Sequence, residues 1–217
     1  MKKTTVVFDL DGTLLDTLQD LANAVNYALE KQGMPKRTLE EVRQFVGNGV
    51  RLLMIRAVPD GERNPLFEET FALFKEYYGK HCNDNTKPYA GVVELIETLK
   101  EKGYAVAIVS NKIDFAVKEL NDLYFKGIVP AAIGEKEGIR RKPAPDTVYE
   151  ALKELGKTKE EAVYVGDSDV DLETAKNSGM PCISVLWGFR DKEFLAEHGA
   201  ERYAKTAEDV LRFVEEM

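Results

Sequence analysis

Two acidic residues follow a short apolar run near the beginning of the chain, and their spacing suits metal and phosphate chemistry. Residues 5–8 are β-branched or aromatic, and Asp9, Asp11, Gly12 and Thr13 lie directly after them. Two carboxylates this close repel each other, and a hard divalent cation such as Mg²⁺, which prefers oxygen ligands, would offset that repulsion. An Asp-Gly turn after a strand is the alternative interpretation.

A hydroxyl and a lysine farther along the chain could bind an anion. Ser110 and Asn111 follow the apolar residues 105–109, and a hydroxyl followed by backbone amides at the start of a helix can hold a phosphate group. Ser110 as the N-cap of that helix is the alternative. Lys142 ends a basic segment at 140–142, which is either the cationic part of a phosphate site or a solvated turn.

A second acidic cluster follows another buried-strand pattern. Residues 162–165 form an apolar and aromatic run, and Asp167, Asp169 and Asp171 lie after it at the predicted start of a helix. Acidic residues in the first turn stabilise a helix through its dipole, which explains Asp169 and Asp171 without any site. It does not explain Asp167, which follows its strand as directly as Asp9 does.

The elements that must position these residues follow from hydrophobic periodicity. Residues 16–86 show helical spacing, with a capping-box signature at 38–41. Farther on, buried strands alternate with amphipathic helices, which is typical of a parallel sheet. We predict an α/β fold in which residues 1–15 and 87–217 form one parallel-sheet domain and residues 16–86 are a helical insertion. Ligands of such sheets bind beyond the carboxyl ends of the strands, where the acidic residues would meet.

Composition narrows the class of protein. The 217 residues include 44% hydrophobic and 31% charged residues, which is typical of a globular chain with a sizeable core. The net charge of −8 argues against a general nucleic-acid or anionic-membrane surface, because both need a basic field. Cys82 and Cys182 have no metal-ligand spacing, and no apolar run is long enough for a signal peptide or a membrane span. We expect a reduced, cytoplasmic protein; the sequence gives no indication of its oligomeric state.

Together the polar motifs resemble those of the haloacid dehalogenase superfamily, and the resemblance extends over the whole chain. The motifs that carry it are Asp9-Leu10-Asp11-Gly12-Thr13, Val109-Ser110-Asn111, Lys142-Pro143 and Gly166-Asp167-Ser168-Asp169-Val170-Asp171. The resemblance implies a Rossmann-like core domain with a type-one helical cap domain. Dehalogenating members lack the second acid of the first motif, so Asp11 indicates one of the Mg²⁺-dependent phosphotransferases of the family. The phosphoglycolate phosphatase-like branch is the most similar.

The resemblance also implies a role for each motif residue. Asp9 would attack phosphorus to form an aspartyl-phosphate, and Asp11 would act as general acid and then as general base. Mg²⁺ would be bound by Asp9, by the backbone carbonyl of Asp11 and by Asp167, while Asp171 would orient these ligands. The implied phosphate-binding residues are Ser110, Asn111, Lys142 and, as a weaker candidate, Thr13.

The predicted cap domain would select the substrate, a small phosphorylated metabolite. Gly47, Asn48 and Gly49 interrupt the helical pattern and Arg51 follows, so this loop either binds a second anionic group of the substrate or is a plain turn with a solvated arginine. Phosphoglycolate is the expected substrate; an inorganic pyrophosphatase and a sugar-phosphate mutase are alternatives, although such mutases carry a histidine near the position of Leu21. A phospho-accepting receiver module is a further alternative, but those modules lack a helical insertion.

Overall fold

The structure is a computed structural model that describes residues 2–125 and 127–217. This part of the chain divides into two compact units. An α/β unit contains the residues up to Leu15 together with Pro88–Met217, and a helical unit contains Asp16–Lys87. Among the described helices, none combines the length and the apolar character needed to cross a bilayer.

A parallel sheet forms the centre of the α/β unit. Its strands are β1 (Thr5–Phe8), β4 (Ala105–Ile113), β5 (Ala131–Glu135), β6 (Ala162–Gly166), β7 (Cys182–Val185) and β8 (Tyr203–Ala204), while β2 (Leu15–Asp16) and β3 (Lys87–Pro88) form a separate pair. The order in the sheet is β5-β4-β1-β6-β7-β8, and all of these neighbours pair in parallel. The predicted α/β class with a parallel sheet is confirmed.

The central strand β1 shows why its sequence lacks polar alternation. Val6 and Phe8 belong to the apolar cluster on one face of the sheet, and Val7 belongs to the cluster on the other face. Successive side chains of a strand point to opposite faces, so a strand covered by helices on both sides must be apolar at every position.

Helices cover the sheet and make up the helical unit. In the helical unit they are α1 (Leu18–Lys31), α2 (Leu39–Phe45), α3 (Val50–Ala57) and α4 (Phe67–His81). In the α/β unit they are α5 (Val92–Glu101), α6 (Asp114–Phe125), α7 (Asp146–Leu155), α8 (Asp169–Ser178), α9 (Lys192–Glu197) and α10 (Ala207–Glu215).

The helical unit has its own apolar core. The spacing of Phe67, Phe71 and Phe74 predicts one buried face of a helix, and all three side chains are buried on α4. Their rings stack in sequence along that face. The interpretation of these phenylalanines as core residues is therefore confirmed.

The predicted capping box at the start of α2 is also present. The Thr38 side chain accepts a hydrogen bond from the backbone N–H of Glu41, and the Glu41 carboxylate accepts one from the backbone N–H of Thr38. Between α2 and α3 the segment 47–49 interrupts the helical backbone, because all three of its residues have positive φ, including Asn48 at 62°. The break in the helical pattern is thus a change of backbone conformation.

Strand β4 is longer than its apolar pattern predicts. The sequence predicts that it ends at Val109, but the strand continues to Ile113. Val109 pairs with Ile133 and Ile113 with Glu135, so β4 contains extra residues between the two pairs. Such a bulge re-aims side chains. Ser110 and Asn111 therefore lie on an irregular part of the strand, and α6 begins only at Asp114.

Candidate active site

The first and last acidic motifs meet at the carboxyl ends of two neighbouring strands of the sheet. Asp9 follows β1 and Asp167 follows β6, and these two strands are paired neighbours. The backbone N–H of Asp9 donates to the carbonyl of Val165 at 2.9 Å, which extends the ladder to the first residue after β1. Because both strands are parallel, their carboxyl ends lie side by side, and the two buried carboxylates follow from the topology.

A third carboxylate completes a buried acidic cluster. Oxygens of Asp9, Asp167 and Asp171 all lie within 4.8 Å of one another. Asp171 belongs to the first turn of α8, which follows β6. A set of carboxylate oxygens is the donor set that Mg²⁺ prefers, so the residues present fit that cation.

Burial and mutual repulsion disfavour the ionised forms of the carboxylates in this cluster. Burial raises the pKa of Asp9 well above its ordinary value; Asp171 raises it further, and Lys142 opposes this. Burial, followed by the charge of Asp171, raises the pKa of Asp167 to about 7. Three ionised carboxylates in one buried place repel each other, and a divalent cation would relieve that repulsion.

Lys142 supplies one positive charge from within the chain. Its ammonium group donates to Asp9 at 2.6 Å, to Asp171 at 2.8 Å and to the hydroxyl of Tyr164 at 3.1 Å, and the side chain is buried. Burial lowers the pKa of Lys142, but the charges of Asp171 and Asp9 outweigh that effect and the pKa is raised. Lys142 is thus a fixed cation that joins the first and last motifs.

Asp171 is held by its own helix as well as by Lys142. Its Oδ2 accepts hydrogen bonds from the backbone N–H groups of Asp167 and Ser168 and from the Ser168 hydroxyl. Ser168 and Asp171 therefore close a capping box at the start of α8. Gly166 is required beside it, because a Cβ there would meet the Asp171 side chain. These bonds fix the position of the Asp171 carboxylate.

The Asp11 carboxylate has hydrogen-bond donors from β4. The Ser110 hydroxyl donates to its Oδ2 at 3.3 Å, and the Lys112 ammonium donates to its Oδ1 at 3.0 Å. Both donors come from the irregular part of β4. The role of Asp11 as a general acid and base stays a prediction.

Asn111 connects the second and third motifs. Its side-chain amide donates to the backbone carbonyl of Lys142 at 3.0 Å. The side chain thus positions the segment that carries Lys142. The predicted contact between Asn111 and phosphate would need the other N–H of this amide, and it stays a prediction.

Thr13 and the segment after β7 surround Asp167. The Thr13 hydroxyl donates to Asp167 Oδ1 at 3.2 Å, and the backbone N–H of Phe189 donates to Oδ2 at 2.7 Å. The indole N–H of Trp187 donates to the carbonyl of Thr13 at 3.0 Å. Only a glycine fits at position 12, where φ is 89°, because a Cβ there would collide with Asp167 and Phe189.

The predicted substrate-selecting residues lie in the helical unit. Arg51 follows the 47–49 segment, and its guanidinium pairs with Glu62 and Glu68. It also lies over the ring of Phe67, 5.1 Å from the centroid. A substrate anion would have to compete with both carboxylates for this arginine.

Several residues around the site escaped the sequence interpretation. Lys112 directly follows the second motif, but a lysine after a strand is usually solvated. Tyr164 is indistinguishable from a core aromatic in a buried strand. Trp187 and Phe189 follow an apolar strand pattern, and nothing in the sequence distinguishes them from packing residues. The hydrogen bond from Phe189 to Asp167 depends on the neighbouring positions of β6 and β7.

Comparisons with known proteins agree on one family. A family model described as haloacid dehalogenase-like hydrolase matches residues 6–185. Phosphoglycolate phosphatase of Aquifex aeolicus is 35% identical over 185 residues, which are 85% of each chain. Phosphoglycolate phosphatase 1 of Pseudomonas aeruginosa is 35% identical over 95% of this chain and 78% of its own. The crystal structure of a candidate phosphoglycolate phosphatase from Lactobacillus delbrueckii subsp. bulgaricus is 38% identical, with a TM-score of 0.96 over all of both chains.

Proposed function

Because the chain belongs to the haloacid dehalogenase-like hydrolase family, we propose that it is a Mg²⁺-dependent phosphatase that hydrolyses a small phosphomonoester through an aspartyl-phosphate. One observation carries the proposal: the buried Asp9 carboxylate lies beside Asp167 and Asp171 and accepts a hydrogen bond from Lys142. This arrangement combines a nucleophile, a cation-binding set of oxygens and a fixed ammonium group, which are the parts that phosphoryl transfer needs.

Asp9 and Asp11 divide the covalent chemistry between them. In the first step a carboxylate oxygen of Asp9 bonds to phosphorus, the ester P–O bond breaks, and Asp11 gives a proton to the departing oxygen. In the second step Asp11 takes a proton from water, the water oxygen bonds to phosphorus, and phosphate leaves Asp9. Ser110 and Lys112 support this role because their hydrogen bonds fix the orientation of the Asp11 carboxylate.

Lys142 and the metal would offset the negative charge in the site. Lys142 donates to Asp9, and this favours the ionised carboxylate that can attack phosphorus. Asp9, Asp167 and the backbone carbonyl of Asp11 would hold Mg²⁺, and Asp171 would orient that set. When bound, Mg²⁺ reduces the repulsion between the phosphoryl oxygens and the attacking carboxylate.

Phosphoglycolate is the proposed substrate. The support is that the relatives which resemble this chain over most of its length are named phosphoglycolate phosphatases. Phosphoglycolate carries a carboxylate beside its phosphate, and Arg51 is the proposed contact for that second charge. Pyrophosphate hydrolysis and sugar-phosphate isomerisation use the same phosphoryl chemistry and are outcomes of the test.

The test is a substrate panel with purified, chelator-treated protein. We expect phosphate release from phosphoglycolate when Mg²⁺ is added, a slower release from p-nitrophenyl phosphate, and none in excess chelator. Asp9→Asn should abolish both activities, whereas Asp122→Asn, an exposed position on α6, should retain them. Turnover by Asp9→Asn or in chelator would contradict the covalent Mg²⁺ mechanism. Preference for pyrophosphate, or conversion of glucose 1-phosphate to glucose 6-phosphate, would replace the proposed substrate.

A further inference from the structure

The segment Trp187-Gly188-Phe189 and Thr13 together enclose Asp167. Phe189 donates to one carboxylate oxygen of Asp167 and Thr13 donates to the other. Each carboxylate oxygen has two lone pairs, so both oxygens keep capacity for a further ligand. The torsion that rotates a carboxylate about its Cβ–Cγ bond is broad when nothing holds the group. Two donors on opposite oxygens remove that freedom.

Trp187 links the segment that follows β7 to Thr13. Its indole N–H donates to the backbone carbonyl of Thr13, and its ring packs against Tyr89, with centroids 6.4 Å apart. The position of Thr13 is therefore set by a residue in the segment that follows β7. Trp187 is the one tryptophan of the chain, so its fluorescence reports on this place alone.

Gly188 shows how closely the segment approaches Asp167. A Cβ at this position would meet the Asp167 side chain and the backbone carbonyl of Gly12. The φ of Gly188 lies outside the left-handed region, so an alanine would be excluded by these atoms and not by its own backbone conformation. The closeness of the backbones places the Phe189 N–H on the carboxylate.

We propose that Thr13 and the segment 187–189 are positioning residues that fix the Asp167 carboxylate for a divalent metal, and that the hydroxyl of Thr13 serves Asp167 and not the substrate phosphate. This inference rests on the proposed Mg²⁺ site. It assigns a purpose to an aromatic segment that lies outside the family motifs. Groups that hydrogen-bond a metal ligand commonly change metal affinity or activity by about 10- to 100-fold when they are removed.

Direct metal binding is the first measurement. Mn²⁺ affinity is measured by electron paramagnetic resonance, and Mg²⁺ affinity by calorimetry and by Trp187 fluorescence, all without substrate. Thr13→Val should weaken metal binding by about 10- to 100-fold, while Thr13→Ser should restore it. Thr5→Val is the matched control, because Thr5 is a buried threonine on β1 whose hydroxyl has no hydrogen-bond partner among the described residues.

The glycine variant tests the backbone donor. Gly188→Ala should weaken Mn²⁺ binding at least as much as Thr13→Val, because the segment must shift away from Asp167. Gly79→Ala is the control, since a Cβ there meets nothing within 4 Å. Thermal unfolding of each variant shows whether it is folded. If Gly188→Ala fails to fold, the Mn²⁺ affinities of Thr13→Val and Trp187→Phe test the inference instead. Trp187→Phe removes the indole N–H and keeps an aromatic ring.

Kinetics separate the two roles of Thr13. With saturating Mg²⁺, Thr13→Val should recover kcat and show an unchanged KM for the ester, but its Mg²⁺ requirement should rise. A raised KM or a weaker inhibition by inorganic phosphate, with unchanged metal affinity, would overturn the inference and assign Thr13 to the phosphate. Absence of metal binding by the unmodified protein would also overturn it. If metal binding responds as expected but no phosphate ester is hydrolysed, the proposed function fails and the positioning role stands.

Discussion

Lys142 is the residue on which the charge balance of the site depends. It is buried with Asp9 and Asp171, and it donates hydrogen bonds to both. Ion pairs in this environment gain little over apolar packing, but removal of one partner leaves the other charges buried without compensation. The family resemblance implies that Lys142 contacts the phosphate and offsets the charge of Asp9. The phosphate contact stays a prediction, and the structure adds a hydrogen bond from Lys142 to Asp171.

Lys142→Met should destabilise the metal-free protein. The change leaves the acidic cluster without its ammonium group, and removal of one partner from a buried pair costs about 3–5 kcal/mol. Chemical denaturation in chelator measures the loss in the free energy of unfolding. Lys118→Met, which removes an exposed ion pair on α6, is the control and should cost less than 1 kcal/mol. An equal loss in both variants would contradict the assigned role.

Asp11→Asn should separate proton transfer from metal binding. The variant keeps the backbone carbonyl proposed as a ligand but cannot exchange a proton, so kcat should fall by about 10²- to 10⁴-fold. Mn²⁺ affinity should stay within a few-fold of the unmodified protein. A collapse of Mn²⁺ affinity with normal kcat at saturating metal would mean that the Asp11 carboxylate is a ligand.

The elements were predictable where one periodicity ran without interruption. The apolar run of β1 and the phenylalanine spacing of α4 each indicated the observed element, and the capping box marked the start of α2. β4 was predicted too short because Ser110-Asn111-Lys112 is polar and its pairing depends on β5, which a local pattern cannot show. β8 has only two residues, too few for any period.

Arg51 connects two helices of the helical unit, because it lies on α3 and pairs with Glu68 of α4. We expect Arg51→Ala to lower kcat/KM for phosphoglycolate by about 10- to 100-fold and to leave p-nitrophenyl phosphate nearly unaffected, since a charge-assisted hydrogen bond contributes about 1.5–3 kcal/mol. Arg56→Ala, in the same helix, is the control. Glu68→Gln removes a competing carboxylate and should not weaken phosphoglycolate turnover. Equal losses on both substrates in Arg51→Ala would assign the arginine to the packing of α3 against α4.

The family resemblance inferred from four short motifs is confirmed by the matches over most of the chain. The motifs identified Asp9, Asp167 and Lys142 because each stands out from its surroundings in the sequence. They could not reveal that Trp187 holds Thr13, since the two residues are 174 positions apart and only the strand order brings them together.

The stability of the whole molecule should depend on pH and Mg²⁺ together. The pKa of Asp167 is raised to about 7 in the folded protein, so its protonated form stabilises the metal-free protein below about pH 4 and this contribution is lost as the pH rises through 7. Mg²⁺ binds the ionised form, so its stabilising effect should grow over the same range. We expect the Mg²⁺-induced increase in Tm to be larger at pH 8 than at pH 5.5. An increase that is independent of pH, or that persists unchanged in Asp167→Asn, would contradict this.

The position of β1 at the centre of the sheet has a consequence for folding. Thr5 pairs with Ala105 on one side and with Ala162 on the other, so the central strand finds its partners only late along the chain. During synthesis β1 is made first but stays without a neighbouring strand until the whole helical segment has been translated. Asp16–Lys87 can complete its own core in that interval, whereas the sheet must wait for distant contacts, and such contacts form slowly. The residues that carry the proposed chemistry are therefore among the last to be assembled, although the first of them is the ninth residue of the chain.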